Sequence, residues 1–584
     1  MLRFDRLLAR AQFTEHTVMV LCGLVIGVLG GLGAVGFRFL IRFFQRVFFG
    51  PGLNLLEIAW ALPWYHKLLV PALGGALVGP IIYYFAREAK GHGVPEVMEA
   101  VVLRGGVIRP RVVGVKALAS ALTIACGGSV GREGPIVQIG SAMGSTLGQM
   151  LKVSGERMRT LVGCGAAAGI AATFNAPIAG ALFSMEIILG NFGLASFSPI
   201  VISSVIATVI SRHFLGDFPA FQVPPYQFVH PFELLPYLLL GVAAGLVARL
   251  FIYLLYRCED LFDASPLPEV ARPALGGLLI GAIALAFPHI YGIGYETITL
   301  SLREQAPFLL LLTLVFIKLL ATSLTIGSGQ SGGIFAPSLF IGAMTGGAVG
   351  TVAHGLFPSL TATSGAYALV GMGAVVAATT HAPITAIIIV FEMTGSYTII
   401  LPLMTACIIA TIVTTSLSRE SIYTLKLARR GLSIVAGREV SVMKALRVNE
   451  VMTDRMRTFD ERTPLPTLVT EALNSPFSYF PVVDSKGQMT GIFSLQDLRV
   501  ILMEDLTTLG PLIVAKDIAT TDGLITVTPE EDLDMVFQKF GQKNIEEIPV
   551  VSPEDSTRLM GMVRRKDVIE AYNKEIIRRS AART

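Results

Sequence analysis

The chain is poor in the residues that build catalytic and metal centres: of 584 residues, 5 are cysteine, 8 histidine, 2 tryptophan and only 15% charged. Cys22, Cys126, Cys164, Cys258 and Cys407 are far apart, and all but Cys258 lie in apolar context. That pattern argues against a disulfide framework or a cysteine-based zinc site and predicts isolated buried thiols. The histidines are scattered, and no carboxylates gather into a cluster that would dehydrate a cation. With no metal-ligand set, no nucleophile–base pair and no phosphate loop, an enzyme is not expected. A formal net charge of +4 gives no reason to expect a nucleic-acid partner. The opening MLRFDRLLARAQFTEH lacks the basic, apolar, small-residue order of a secretory leader. With Arg3, Arg6 and Arg10 it reads as an amphipathic helix on the cytoplasmic membrane surface.

Apolar residues, by contrast, make up 53% of the chain, and the mean hydropathy is +0.65, too high for a soluble globule of this length. Residues 17 to about 418 carry most of it, and the stretch from about 430 onward reads as a soluble domain. Apolar runs lie at 17–45, 67–86, 196–211, 234–256, 274–287, 307–326, 367–378 and 398–417. Some reach the roughly 20 residues a bilayer requires, and several fall short. Between them lie Gly- and Pro-punctuated pieces at 127–151, 161–190, 327–352 and 380–395, which read as short, broken helices. Broken helices persist at membrane depth only where the freed backbone lines a cavity or is buried in protein. They predict a transport site.

The membrane region also repeats itself. SVGREGPIVQIG from Ser129 aligns without gaps on SGGIFAPSLFIG from Ser331, an offset of 202 residues. APIAGALFSME, Ala176 to Glu186, aligns on APITAIIIVFE, Ala382 to Glu392, at an offset of 206. Two matches in the same order at nearly one offset mark a duplication of about 200 residues, with halves at about 17–215 and 232–420. Duplicated halves with interrupted helices at equivalent places fit a transporter whose site lies between the repeats. The alignment leaves open whether the repeats are parallel or inverted.

Three segments are laid out to receive an anion: GHGVPEV at 91–97, GREGP at 131–135 and GIFAP at 333–337. Glycines admit close backbone approach, proline sets a helix start, and the unpaired first-turn N–H groups carry about half a positive charge. These segments, in this order and followed by Tyr423 in SIYTLKLARRG, closely resemble the CLC chloride channels and transporters over residues 17–431. The resemblance implies a multi-pass α-helical membrane protein of two inverted halves of short, tilted and broken helices, a homodimer in the cell membrane with cytoplasmic termini. It implies one chloride pathway per subunit, lined by His92, Gly93, Arg132, Gly134, Gly333, Ile334, Phe335 and Ala336. The amides of Ile334 and Phe335 and the Tyr423 hydroxyl hold a central anion by the same resemblance. Glu133 is then the gate, a carboxylate that competes with chloride when ionised and leaves when protonated.

Two positions depart from the family pattern. His92 stands where many members have serine. It either narrows the inner mouth, donates to the anion or adds pH sensitivity, or else turns aside and leaves binding to backbone amides. Pro135 is retained, which favours chloride over fluoride. The family's proton-transfer glutamate aligns on Ile187, which binds no proton. That favours passive conduction over proton-coupled exchange, with Glu186 the available substitute should coupling persist.

The tail carries a second duplication: YFPVVD…MTGIFSLQD in one unit and EIPVV…MGMVRRKD in the next, at about 447–505 and 512–574 after a linker at 432–446. Both α/β units resemble CBS modules, a family that binds adenine nucleotides (ATP, ADP or AMP). No cofactor is required by this reading. Gly491, Ser494 and Asp497 complete the family's phosphate and ribose pattern, whereas the second unit keeps Gly561 and Asp567 but has Arg564 in place of the hydroxyl. A purely structural dimerisation role is the alternative for this tail, and a nucleotide-sensing regulator that the membrane part merely anchors is the alternative for the whole chain.

Overall fold

Each long apolar run becomes a helix whose ends are set by local chemistry. The computed structural model describes residues 14–430 except 53–54, 154, 218–220, 222, 225 and 227. In the tail it describes 434–435, 438–439, 443, 446–475, 477–503, 512–521, 523–543 and 545–581. The expected N-terminal surface helix with Arg3, Arg6 and Arg10, and most of the 432–446 linker, lie outside these residues. The chain divides into two compact units, Met1–Leu432 and Ser433–Thr584.

In the first unit α1 (Glu15–Phe49), α2 (Leu55–Ala61), α3 (Trp64–Phe85), α4 (Val94–Leu103), α5 (Val112–Ala125), α6 (Glu133–Leu151), α7 (Glu156–Phe174), α8 (Pro177–Phe183) and α9 (Leu194–Leu215) form one half. The other half is α10 (Leu234–Asp263), α11 (Arg272–Ala286), α12 (Tyr295–Leu302), α13 (Phe308–Gly327), α14 (Phe335–Leu356), α15 (Ser364–Thr380), α16 (Pro383–Thr394) and α17 (Ile400–Leu417), followed by α18 (Thr424–Arg429). Equivalent helices stop for equivalent reasons. α7 ends at Asn175 and α15 at His381, both left-handed (φ 60° and 56°), and an Ala-Pro step then opens α8 and α16. Packing repeats as well: α1 lies on α7 and α9 as α10 lies on α15 and α17, while α3 meets α11 and α8 meets α16 across the halves.

Contacts between repeat mates fix the relation of the halves. Gly131 N donates to Gly333 O at 2.7 Å, and Gly333 N donates back to Gly131 O at 2.6 Å, in an antiparallel bridge. Glu186 accepts from the amides of Ile384 (3.3 Å) and Thr385 (2.7 Å), while its mate Glu392 accepts from those of Ile178 (3.0 Å) and Ala179 (2.7 Å). Such reciprocal contacts mark a two-fold relation between the repeats.

One expectation needs correcting. The glycine-rich piece 327–352 is not a short broken helix: α14 runs unbroken for 22 residues from Phe335. Its glycines are notches for neighbours. A Cβ on Gly342 would lie 2.3 Å from the carbonyl oxygen of Gly371, and one on Gly140, its mate on α6, 2.1 Å from that of Gly165. The breaks fall before these helices, at 126–132 and 328–334. Among the described residues, seven helices are long and apolar enough to cross a bilayer. All five cysteines are free and buried.

The second unit is α/β. After the short antiparallel pair β1 (Ile434–Val435) and β2 (Arg438–Glu439), and the short β3 (Phe459–Asp460), β4 (Tyr479–Val483) pairs parallel with β3 and antiparallel with β5 (Met489–Ser494), and β6 (Glu547–Val551) pairs antiparallel with β7 (Leu559–Arg564). The two modules interlock. Val448, at the start of the first module, packs into the second core with Leu533 and Ile548; Ala515, at the start of the second, packs into the first with Phe459 and Phe480. Backbone bridges Thr453–Met562 and Ile492–Thr520 tie down these exchanged segments.

Candidate functional site

The three anion-type motifs meet at one place. Beside the Gly131–Gly333 bridge, Gly91 N donates to Gln330 O at 3.1 Å and Gly332 N to Gly91 O at 3.3 Å. Gly134 lies at the crossing: a Cβ there would sit 2.2 Å from the carbonyl oxygen of His92 and 3.0 Å from the Cα of Gly333. The N-termini of α4, α6 and α14 therefore converge, each with first-turn N–H groups that have no acceptor inside the helix. Ile334 and Phe335 open α14 fully buried, and the Phe335 ring rests 5.5 Å from that of Phe174 and 6.3 Å from that of Phe183. Convergent N–H donors, a dry wall and no facing acidic cluster make a place for an anion.

Glu133, the first residue of α6, is buried at this place. Its Oε1 accepts from the Tyr295 hydroxyl at 3.2 Å. Its Oε2 folds back over Gly131, where a Cβ would stand only 2.0 Å away and 3.0 Å from the Ala336 Cβ at the start of α14, and Oε2 has no hydrogen-bond partner among the described residues. Arg132 does not pair with it. The guanidinium lies over the Tyr295 ring at 5.6 Å and donates to Thr173 O at 3.4 Å. A charged side chain at the bilayer centre costs about 3 kcal/mol on insertion scales, while hydrogen bonds to a charged group return about 1.5–3 kcal/mol each. The Tyr295 hydroxyl is one such donor and offsets about half or more of that cost.

His92 and Tyr423 come together on another side of the same place. Both are buried, their ring centroids are 5.7 Å apart at a 40° tilt, and His92 Nδ1 has no hydrogen-bond partner. Tyr423 is positioned by its neighbours. Tyr256 donates to Ile422 O at 2.6 Å, and α18 is pinned to α4 by Lys426–Glu96 (2.9 Å), Arg430–Glu96 (3.2 Å) and Arg430–Glu99 (2.5 Å). Between α4 and α18 lies a cavity of about 280 Å³ whose lining includes Arg87, Arg104, Arg109 and Lys426. Gln138, on its wall, reaches to within 2.8 Å of where a Cβ on Gly93 would be, so the cavity adjoins the motif.

Sequence reasoning missed two buried lysines. Lys116 donates to Ala89 O (3.0 Å) and Gly91 O (2.8 Å), and Lys318 to Ile290 O (3.0 Å) and Gly292 O (3.1 Å). Each ammonium ties down the loop ahead of a short helix, α4 or α12. The signal was present: the two lysines are 202 residues apart, the offset of the first repeat match. Ile187 is buried in a π-helical turn, Ser184–Leu189, that extends α8 and packs beside α4. Both oxygens of Glu186 are engaged in capping α16, Oε2 also accepting from Thr385 Oγ1 at 2.6 Å.

The tail residues form two unlike clusters. In the first module Asp497 Oδ2 accepts from Ser494 N (2.7 Å) and Oγ (2.8 Å), at the end of β5 just after Gly491. In the second, Arg564 forks onto Asp567, with Nε to Oδ2 at 2.5 Å and Nη2 to Oδ1 at 3.1 Å. Across the strand pair from Arg564 lies Glu547, whose carboxyl burial pushes above its ordinary value. Gly561 sits against Thr453, where a Cβ would be 2.6 Å from the carbonyl oxygen. The hydroxyl and acid of the first module suit a ribose or phosphate. The second has its cation already paired and a buried carboxylate beside it, and does not fit phosphate.

Comparison with known proteins agrees with this geometry. Residues 74–415 match the voltage gated chloride channel family, and residues 448–504 and 515–574 match the CBS domain. A ClcB-like protein of Ralstonia nicotianae is 40% identical over 416 residues, covering 70% of this chain and 97% of its own length. The H(+)/Cl(-) exchange transporter ClcA of Salmonella arizonae is 34% identical, covering 73% and 92%. Among solved structures, a slow cyanobacterial Cl-/H+ antiporter superposes with a TM-score of 0.65 at 29% identity, over 71% of this chain and 98% of its own. A eukaryotic CLC transporter shares the fold over 95% of this chain and 99% of its own, at 21% identity and a TM-score of 0.65. The chain belongs to the CLC family of voltage-gated chloride channels and transporters, and carries a C-terminal pair of CBS domains.

Proposed function

We propose that the protein is a chloride channel in which Glu133 is the gate. The observation that carries this reading is the seat of the Glu133 carboxylate, which lies against the start of α14 and accepts from the Tyr295 hydroxyl. A place that holds one anion through N–H and O–H donors admits another in competition with it. When Glu133 is protonated it loses its claim on those donors, and chloride passes between Ile334, Phe335 and Tyr423. The cavity between α4 and α18, lined by six cationic and four acidic side chains, admits the anion on the side of His92. Conduction is passive in this reading, because Ile187 carries no proton and both oxygens of Glu186 are committed to a helix cap. The rival reading, coupled exchange of chloride for protons, uses the same residues.

The working unit is a homodimer in the cell membrane with cytoplasmic termini. Supporting this, α9 and α17 leave Val205, Val209, Leu401, Met404, Ile408 and Ile412 exposed, an apolar surface suited to a second copy. An adenine nucleotide is held by Ser494 and Asp497 of the first CBS module alone. The test of chloride passage is release from KCl-loaded vesicles containing the purified protein, started with a potassium ionophore. Release well above that of protein-free vesicles is expected. Equal release would overturn the reading in favour of a membrane-anchored nucleotide sensor.

A further inference from the structure

We propose that Tyr295 is the latch of the gate: its phenol O–H holds the Glu133 carboxylate in its seat and sets how readily chloride displaces it. This rests on the reading of Glu133 as the gate and adds a second residue to it.

The lysine pair reveals where Tyr295 comes from. Lys116 holds the carbonyls of residues 89 and 91, and Lys318 those of 290 and 292. Gly91-His92-Gly93-Val94 and Gly292-Ile293-Gly294-Tyr295 are thus repeat mates. The first copy carries a proline helix start and the anion motif; the second has lost the proline and put a tyrosine where Val94 stands. The first copy abuts Gly134 and Gly333. The second brings its tyrosine to the gate carboxylate.

The surroundings of Tyr295 fix its direction. Gly294, at φ +85°, turns the chain into α12 over Phe340, whose ring lies 2.7 Å from where a Cβ would stand. Arg132 covers one part of the phenol ring at 5.6 Å, and Phe221 meets it edge-on at 5.1 Å and 67°. The hydroxyl then reaches Glu133 Oε1 at 3.2 Å, the only side-chain hydrogen bond to this carboxylate among the described residues. The other charged or titratable groups around the carboxylate are Arg132 and, from the start of α18, Tyr423. Neither donates to it. A phenol donates well to a carboxylate and poorly to a carboxylic acid, which carries a proton of its own. The bond therefore favours the seated, ionised gate and is lost when Glu133 is protonated.

The test is chloride release from vesicles at pH 7.5 and 4.5, comparing wild type, Tyr295→Phe, Glu133→Gln and the double variant. Phenylalanine keeps the ring for Arg132 and Phe221 and removes only the donor. Tyr295→Phe is expected to release chloride about tenfold or more faster than wild type at pH 7.5. At pH 4.5, where the gate is already out, it should match wild type, and it should change nothing in the Glu133→Gln background. Unchanged or slower release at pH 7.5, or the same acceleration in the Glu133→Gln background, would overturn the latch. If Glu133→Gln releases chloride no faster than wild type at pH 7.5, it is the gate reading that fails, and the two failures are thereby separable.

Discussion

Glu133→Gln is expected to raise chloride release at pH 7.5 about tenfold or more and to remove most of its dependence on pH. The substitution keeps the shape of the side chain and deletes its charge. What seats Glu133 is charge: the Tyr295 hydroxyl donates to its carboxylate, which lies against the start of α14. Charge-assisted hydrogen bonds are about twice as strong as neutral ones, and hydrogen bonds to charged groups contribute about 1.5–3 kcal/mol each. Losing one such bond outright shifts the competition with chloride by a factor of about ten or more. The neutral amide also carries no titratable proton, so lowering the pH has nothing left to release. Vesicle release measured from pH 4.5 to 8 checks both parts.

Gly134→Ala is expected to reduce chloride passage about tenfold or more and to lower the thermal stability of the purified protein. Gly134 is where the loops of α4, α6 and α14 cross, and both nearest neighbours of an added Cβ, the carbonyl oxygen of His92 and the Cα of Gly333, are backbone atoms. Backbone cannot swing aside as a side chain can, so the methyl must push the loops apart. Overpacking of this kind costs about 1–3 kcal/mol, and here it also separates the donors that define the anion seat. Gly114→Ala is the control, since its Cβ would meet nothing within 4 Å. It should leave both flux and melting temperature unchanged.

The residues legible in the sequence were those whose chemistry is carried by neighbours in the chain. Glu133, Ile334 and Phe335 sit in Gly-Pro helix starts, and the structure places those starts together. His92 and Tyr423 lie in motifs more than 300 residues apart and meet as neighbouring rings. Tyr295 was not legible, because its partner lies 162 residues away and its own loop no longer looks like the motif it is descended from. The lysines were hidden for a similar reason: a buried ammonium bonded to carbonyls 25 to 28 residues distant leaves no local pattern. The glycines of α14 misled, since notch and break have the same composition and only the facing helix tells them apart. In the tail, the order of motifs gave no hint that Val448 belongs to the core of the second module.

Whether Glu133 gates chloride alone or also passes protons turns on Ile187, and one electrical measurement tests that directly. The protein is reconstituted in planar bilayers or vesicles with a fixed chloride gradient, and a proton gradient is imposed on top. A reversal potential that stays at the chloride equilibrium value as the proton gradient changes is the predicted result. A reversal potential displaced by the proton gradient would contradict it and make the protein a coupled exchanger.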